Sequence, residues 1–234
     1  YNLRMKPVEP LVPRYLRMEV PERVRASGKV ETPWDEEALD RALDRLEAEG
    51  VEALAVCFLF SYLNPDHERR VAEKIEKRFP GMYTSISSQV IPQIKEFDRL
   101  STTVVNSYVG PVFGKYLANL EERLSSFQQT RDVLIMQSNG GVAPIDDSSR
   151  MAVRAILSGP AGGVNGAAAY GQMLDQPNII AFDMGGTSTD ISLIQNGVPH
   201  LTTEKFEAGW KIAVPMIDIH TMGAGGGSIA SVGP

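Results

Sequence analysis

The spacing of hydrophobic residues changes twice within the first half of the chain. Residues 1–30 combine prolines and arginines with short apolar–polar alternation, which predicts extended segments and turns. Apolar residues then recur at helical spacing and predict a first helix: Leu39, Leu43 and Leu46. Thr32, followed by Pro33 and an acidic residue, is expected to cap this helix, and Gly50 is expected to end it.

A nearly continuous apolar run at 51–60 predicts a strand that is covered on both faces. A second helix should begin after Asn64-Pro65-Asp66 and end at Pro80-Gly81, with His67 at its surface. The buried stripe of this helix is expected to be Val71, Ile75 and Phe79. Residues 82–87 predict a further strand, and the order of elements indicates a parallel sheet with helical crossovers.

One long helical pattern opens the next part of the chain, at residues 97–124. Its apolar positions are Leu100, Val104, Tyr108, Tyr116, Leu117, Leu120 and Leu124. Gly110-Pro111 is expected to kink or split this helix. A short strand at 133–136, a turn at 138–141 and a helix of small residues at 158–173 should follow.

Three strand patterns lie between residues 179 and 206. Asn196-Gly197 is a strong signal for a tight hairpin turn between the second and the third pattern. We therefore expect a three-stranded antiparallel meander whose first turn contains Gly185–Thr189.

The first turn of this meander carries groups that suit phosphate and a divalent cation. Asp183 ends an apolar strand, and Gly185 and Gly186 let the backbone bring its N–H groups close to an anion. The hydroxyl donors of the turn are Thr187, Ser188 and Thr189. Carboxylates beside phosphates repel them unless a cation intervenes, so Asp183 and Asp190 are expected to hold Mg²⁺.

A second group of polar residues lies further along the chain. Asp218 and His220 are two residues apart, so in an extended segment both side chains project to one side, next to the glycine cluster 223–227. A carboxylate and an imidazole placed together suit a metal site or proton transfer, and they equally suit a hydrogen-bonded pair that stabilises the loop. The residues alone leave both interpretations open.

Composition and charge narrow the class of protein. Hydrophobic residues make up 43% and charged residues 22% of the 234 positions, as in ordinary globular proteins. The net charge of −6 argues against a nucleic-acid or anionic-membrane surface. A single cysteine, Cys57, and the lack of a signal peptide or membrane span predict a cytoplasmic protein. Because the chain starts at Tyr1 without a methionine, we expect a piece of a longer protein.

Residues 182–192 resemble the phosphate motif of the superfamily that contains actin, sugar kinases and heat-shock chaperone ATPases. More narrowly, five blocks in order resemble the hydantoinase/5-oxoprolinase family, which includes N-methylhydantoinase and the ATP-using subunits of acetone and acetophenone carboxylases. These blocks are 96–99, 137–141, 157–164, 182–192 and 218–228.

The resemblance implies an actin-like ATPase fold with two RNase-H-like lobes and ATP in the cleft between them. Residues 1–95 would then be the end of the first lobe, 96–175 a helical connection with interlobe segments, and 176–234 the start of the second lobe with the phosphate hairpin. The phosphate hairpin of the first lobe and the adenosine-binding segment have no counterpart in this sequence. We therefore expect the chain alone to hydrolyse ATP negligibly.

The resemblance also implies a function, an ATP-dependent hydrolase of cyclic amides that phosphorylates the ring amide so that water can open it. The implied cofactors are ATP and Mg²⁺, with a second divalent metal possible. Asp183 and Asp190 would bind metal, and the cofactor would contact the following residues: Asp183, Gly185, Gly186, Thr187, Ser188, Thr189, Gly225 and Gly226. Asp218 and His220 would be catalytic.

The implied partners are a small cyclic amide and a second, B-type subunit or domain, with no nucleic acid and no membrane. Two alternatives stay open: a subunit of an ATP-dependent ketone carboxylase, and a non-catalytic nucleotide switch like actin or a chaperone. The Asp218–His220 pair favours an enzyme, since a pure switch needs no acid–imidazole pair beside its cleft.

Overall fold

A computed structural model describes residues 8–125, 133–229 and 231. The chain forms two compact units of mixed α/β structure. Among the described residues, the first unit comprises 8–125, 149–153 and 205–214, and the second comprises 133–148, 154–204, 215–229 and 231. The predicted lobe boundaries after residues 95 and 175 stay a prediction.

The elements are numbered along the chain. The helices are α1 (Glu36–Ala48), α2 (Asp66–Arg78), α3 (Ser87–Val90), α4 (Glu96–Ser125), α5 (Ile145–Arg150) and α6 (Ser158–Met173), with 3₁₀ turns at Arg14–Leu16 and Ala152–Ala155. The first strands are β1 (Arg23–Val24), β2 (Val30–Thr32), β3 (Ala53–Val56), β4 (Tyr83–Ile86), β5 (Leu134–Met136), β6 (Val142–Pro144) and β7 (Ile179–Met184). The remaining strands are β8 (Thr189–Gln195), β9 (Val198–Pro199), β10 (Leu201–Thr202), β11 (Lys205–Glu207), β12 (Trp210–Ile212), β13 (Met216–Ile217) and β14 (Ile219–Met222).

The core of the first unit forms around a parallel pair of strands. β3 pairs with β4 from Ala53↔Tyr83 to Val56↔Ile86, and α2 is the crossover between them. The apolar stripes of α1 and α2 meet this sheet in one buried cluster: Leu39, Leu43, Leu54, Val71 and Ile75. The parallel strand–helix–strand order predicted from the hydrophobic pattern is confirmed.

Three local expectations for this unit are wrong. The cap of α1 is Asp35 and not Thr32, because the Asp35 carboxylate accepts a hydrogen bond from the Ala38 N–H at 2.9 Å. The strand predicted at 51–60 is only four residues long, since the chain turns after Val56. His67 is buried, with its Nδ1 2.7 Å from Glu22 Oε2.

Helix α4 buries several polar residues in its first half and exposes several apolar ones. It continues through Pro111, so of the two expected outcomes, a kink or a split, the split does not occur. Its buried polar residues are Asp98, Arg99, Thr102, Thr103, Asn106 and Ser107. Neighbouring groups bind most of their polar atoms, as where Ser107 Oγ donates to Leu54 O at 2.8 Å, and Arg99 Nε is an exception. The exposed apolar residues are Phe97, Leu100, Tyr108, Val112 and Tyr116.

The second unit contains an antiparallel sheet in the order β14–β8–β7, with β9 also paired to β8. α6 packs on one face of this sheet, where it forms a buried cluster of Ala161, Val164, Ile194, Ile217 and Ile219. The short strand and turn predicted at 133–141 form the β5–β6 hairpin. The described segment from Ile179 to Ile194 contains no helix, as the hydrophobic pattern predicts.

The predicted meander is correct for its first two strands and wrong for its third. Asn196 and Gly197 have φ angles of 53° and 77°, so the tight turn is present. The chain stays bound to β8 up to His200, whose N–H donates to Leu193 O at 3.0 Å, and then leaves that strand. The residues expected in the third strand pair elsewhere, β10 with β13 and β11 with β12, and β14 pairs along β8 instead.

None of the helices within the described residues combines the length and hydropathy needed to cross a bilayer.

Candidate functional site

The two carboxylates of the predicted phosphate hairpin lie opposite each other. Asp183 on β7 is in register with Asp190 on β8, and residues in register share a face of the sheet. That face also carries Ala181 and Ile194, which pack against α6. We call it the α6 face. Side chains in such a pair have Cβ atoms about 4.5–5.5 Å apart, close enough for one cation to contact both carboxylates.

Each carboxylate has a defined neighbour on the α6 face. Thr221 on β14 is in register with Asp190, and its hydroxyl donates to Asp190 Oδ1 at 2.6 Å. Asp183 Oδ2 lies 3.8 Å from the position that a Cβ on Gly163 of α6 would occupy. Asp183 is exposed and Asp190 half-buried. The helix backbone leaves room for the Asp183 carboxylate, and the Thr221 hydroxyl orients that of Asp190.

The turn between these strands exposes unused hydrogen-bond donors. Gly185 N–H donates to Ser188 O at 2.9 Å and closes the turn. Within the described part of the chain, the N–H groups of Gly186, Thr187 and Ser188 donate to no acceptor, and the hydroxyls of Thr187 and Ser188 make no hydrogen bond. Three adjacent backbone donors of this kind suit an anion.

A second turn, residues 223–228, packs against the first, and we call it the glycine loop. Gly226 N–H donates to Gly185 O at 2.9 Å, and Gly227 N–H to Gly186 O at 3.3 Å. Gly225 is buried against the hairpin. The predicted cofactor residues Gly225 and Gly226 therefore lie next to Gly185 and Gly186, although they are about 40 positions apart in the chain.

The structure does not bring Asp218 and His220 to the two aspartates. His220 is in register with Ile191, on the face of the sheet opposite Asp183 and Asp190. Exposed apolar side chains share this outer face: Ile180, Phe182, Met184, Leu193 and Met222. Asp218 and His220 are both exposed, and no hydrogen bond joins their side chains. The described residues include no group of three or more His, Cys, Asp or Glu that could hold a metal ion.

Ser138 and Thr221 are residues of the second unit that sequence reasoning did not single out. Ser138 Oγ accepts from Leu157 N–H at 3.0 Å, and Ser138 O accepts from Ile217 N–H at 2.8 Å. Asn165 Nδ2 donates to Gly140 O at 2.6 Å. The blocks 137–141 and 157–164 thus support the sheet that carries the aspartates. The sequence feature that could have identified Ser138 and Thr221 is their position within the family-like blocks 137–141 and 218–228.

The first unit contains a separate polar cluster at the carboxyl ends of β3 and β4. The fully buried Glu68 carboxylate accepts from Phe58 N–H at 2.8 Å, Ser87 Oγ at 2.7 Å and Ser88 N–H at 2.8 Å. Arg99 donates to Phe58 O at 2.7 Å. Burial raises the pKa of the adjacent Cys57 thiol above its ordinary value. The Glu68 carboxylate and both backbone groups of Phe58 are satisfied within the protein, so we interpret this cluster as structural, although Ser88 Oγ and Arg99 Nε have no partner among the described residues.

The sequence matches two models of one family. Residues 99–233 match the model described as Hydantoinase/oxoprolinase, and residues 1–79 match that of the Hydantoinase/oxoprolinase N-terminal region.

Several similar proteins are named as enzymes or enzyme subunits. The chain is 39% identical to caprolactamase subunit alpha of Pseudomonas jessenii, covering 98% of this chain and 33% of the relative. It is 41% identical to 5-oxoprolinase of Saccharomyces cerevisiae, and the match covers 84% of this chain and 15% of that relative. It is 32% identical to the acetone carboxylase beta subunit of Xanthobacter autotrophicus, and the match covers 96% of this chain and 32% of that relative.

Solved structures agree with these similarities. The crystal structure of ATP-dependent caprolactamase from Pseudomonas jessenii matches with a TM-score of 0.88 and 37% identity, over 100% of this chain and 34% of that one. The nucleotide-free structure of acetone carboxylase matches with a TM-score of 0.83 and 31% identity, over 93% of this chain and 31% of that one. The chain thus spans about a third of most of these relatives and less of 5-oxoprolinase.

Proposed function

Because this chain belongs to the hydantoinase/oxoprolinase family, we propose that it is the phosphate-binding part of an ATP-dependent hydrolase of cyclic amides. The observation that carries the proposal is the juxtaposition of three unused backbone donors, Gly186 to Ser188, with the paired carboxylates of Asp183 and Asp190. Donors alone suit any anion. The carboxylates add the requirement that the anion arrive with a cation, which is the chemistry of a Mg²⁺-bound nucleotide.

The residues present fit Mg²⁺ and a phosphate chain. Mg²⁺ is usually bound through one or two carboxylates together with waters and phosphate oxygens, so a two-aspartate site matches its needs without a third protein ligand. In our proposal Asp183 and Asp190 hold Mg²⁺, and Thr221 keeps the Asp190 carboxylate in place. The N–H groups and hydroxyls of the turn bind phosphate oxygens and orient them by charge complementarity.

ATP would supply a phosphoryl group to the oxygen of the resonance-stabilised ring amide. The phosphorylated oxygen is a leaving group, and the amide carbon becomes electrophilic enough for water to attack it. The role of Asp218 and His220 toward the cyclic amide, or toward a second divalent metal, stays a prediction. Since His220 lies on the outer face and Asp218 precedes β14, we assign them no contact with the phosphates.

Further parts of the proposal concern the whole enzyme. We propose an actin-like arrangement of two lobes for the complete protein, supported by the hairpin chemistry and the likeness to caprolactamase. A second subunit is part of the proposal because relatives are named as subunits. A ketone carboxylase subunit is the second candidate, favoured by the likeness to acetone carboxylase.

Two measurements test the proposal. Isothermal titration of the 234-residue chain should show Mg²⁺-dependent binding of ATP, and the absence of heat at millimolar ATP would refute the phosphate site. A full-length protein containing this sequence, with its partner subunit, should consume ATP when given caprolactam, 5-oxoproline or a hydantoin. ATP consumption only with acetone and bicarbonate would favour the carboxylase instead.

A further inference from the structure

The glycine loop makes a specific set of contacts with the phosphate hairpin. Its N–H groups at Gly226 and Gly227 donate to two successive hairpin carbonyls, those of Gly185 and Gly186. The buried Thr189 hydroxyl, at the start of β8, donates to Ala224 O at 2.5 Å. Three hydrogen bonds therefore join two short turns, and each of them involves a backbone carbonyl.

We propose that the glycine loop is a positioning element that aims the phosphate-binding donors of the hairpin outward. The inference rests on the proposed function, because it assigns a task to a loop beside that site. It gives Gly225 and Gly226 a role through the hairpin backbone, in place of the direct cofactor contact expected from the sequence.

The reason lies in the geometry of the peptide group. In a planar trans peptide the C=O and the N–H point in opposite directions. The Gly185 carbonyl belongs to the same peptide as the Gly186 N–H, and the Gly186 carbonyl to the same peptide as the Thr187 N–H. Because both carbonyls point at the glycine loop, both N–H groups point away from it.

Without these bonds the two peptides would rotate readily. Glycine populates positive and negative φ about equally, so the peptides flanking Gly185 and Gly186 have low barriers to reorientation. Donors that are free to rotate bind an anion more weakly, because ordering each of them on binding costs conformational entropy. The glycine loop orders these donors before the ligand binds, so the entropic cost of binding is smaller.

Close packing explains why the contact needs glycine at position 225. A Cβ on Gly225 would lie 2.6 Å from Gly186 C and Thr187 N, and 2.7 Å from Gly185 O. These are backbone atoms of the hairpin, which cannot move aside as a flexible side chain does. Gly223 in the same loop has nothing within 4 Å of its Cβ position, so it provides a matched control.

The test uses the ¹⁵N,¹³C-labelled 234-residue chain and NMR. Scalar couplings across the hydrogen bonds from Gly226 N–H to Gly185 C=O and from Gly227 N–H to Gly186 C=O report the pinned turn. Titration with Mg²⁺–ATP and with Mg²⁺–tripolyphosphate reports the donors through the amide shifts of Gly186 and Thr187. We expect Gly225→Ala to lose the couplings and to bind both ligands about tenfold more weakly or worse, while Gly223→Ala matches the wild type.

Each outcome decides between the hypotheses. Wild-type couplings and affinity in Gly225→Ala would overturn the inference. A wild-type chain that shows the couplings but no shift with either ligand would refute the proposed function and leave the pinned turn standing. If Gly225→Ala fails to fold, Thr189→Val removes only the hydroxyl bond to Ala224, and a loss of affinity at unchanged melting temperature is then expected. Unchanged affinity in a folded Thr189→Val chain would count against the inference.

Discussion

The two units of this chain treat the polar groups at their strand ends in opposite ways. In the first unit, the loops after β3 and β4 are bound by the buried side chains of Glu68 and Arg99, which take up both the N–H and the C=O of Phe58. In the second unit, the turn after β7 leaves the N–H groups of Gly186 to Ser188 without acceptors among the described residues.

The contrast separates structure from function. A buried carboxylate such as Glu68 is stable only when donors satisfy it, and this one has three. Among the buried side-chain atoms that the structure describes, Ser88 Oγ and Arg99 Nε are the ones without a partner. Exposed donors need no partner for folding because water serves them. Three of them converging beside two carboxylates therefore point to a ligand.

Replacement of Glu68 by alanine should produce the largest effect on stability. The change leaves three donors without an acceptor in a buried site, which we expect to lower the free energy of unfolding by about 3–5 kcal/mol. Urea denaturation of the variant measures it, with Glu73→Ala on the exposed side of α2 as the control. A loss equal to that of the control would show that Glu68 is not structural.

Asp183→Asn should act on the ligand and spare the fold. Asparagine keeps the shape of the exposed side chain and removes its charge, so the melting temperature should stay the same or rise slightly. ATP-dependent turnover of the full-length enzyme should fall by about 10²-fold or more, as for a lost electrostatic contact in a closed site. Asp146→Asn, an exposed aspartate on α5, is the control. A destabilised variant with wild-type turnover would contradict the metal-binding role.

Thr221→Val should weaken the site by a smaller factor. Valine has the shape of threonine without the hydroxyl that donates to Asp190 Oδ1, so the carboxylate stays but loses its orientation. We expect Mg²⁺–ATP affinity of the chain to fall about three- to tenfold, the range for one ordinary hydrogen bond, because this half-buried carboxylate can exchange the hydroxyl for water. Calorimetry measures this, with Thr202→Val on β10 as the control. If the variant binds Mg²⁺–ATP as tightly as the wild type, Thr221 does not contribute to the site.

The smallest effect concerns the pH dependence of the first unit. Burial raises the pKa of Cys57 in the folded chain above its unfolded value, so the thiol contributes stability that is complete below the unfolded pKa and is lost as the pH rises through the folded one. The free energy of unfolding should therefore fall as the pH rises above about 8.5, and Cys57→Ala should make this fall less steep. Burial also raises the pKa of Tyr83, so part of the fall in the free energy of unfolding should remain at higher pH in that variant. Urea denaturation across this range tests the sign, and an unchanged slope would contradict it.

Short-range chemistry made much of the architecture predictable. The parallel β3–α2–β4 unit followed from apolar runs and helix stripes, and its core contains the residues of those stripes. The tight turn at Asn196-Gly197 followed from the ability of these residues to adopt positive φ. The predictions failed where a partner far along the chain decided the outcome, as for the third meander strand, which β14 replaces along β8.

Helix α4 shows the same limit on a larger scale. Its apolar spacing correctly predicted a helix, but the structure exposes Leu100 and Tyr108 and buries several polar residues beside Val105 and Leu117. Neighbours such as Leu54 O and Ser85 Oγ supply hydrogen bonds to Ser107 and Asn106, so the polar face is stable inside. Hydrophobic spacing identifies a face of a helix, but the groups packed against the helix decide which face is buried.

By itself, the sequence determined the hairpin that we propose binds phosphate, because its aspartates, glycines and hydroxyls lie within eight consecutive residues, 183–190, and need only a local turn to meet. Only the tertiary structure decided which groups join them. Thr221 shares a face with Asp190, whereas its neighbour His220 lies on the other face. That assignment depends on the pairing register between β8 and β14, and a shift of one residue would exchange the two. The spacing of residues within one strand contains no information about that register.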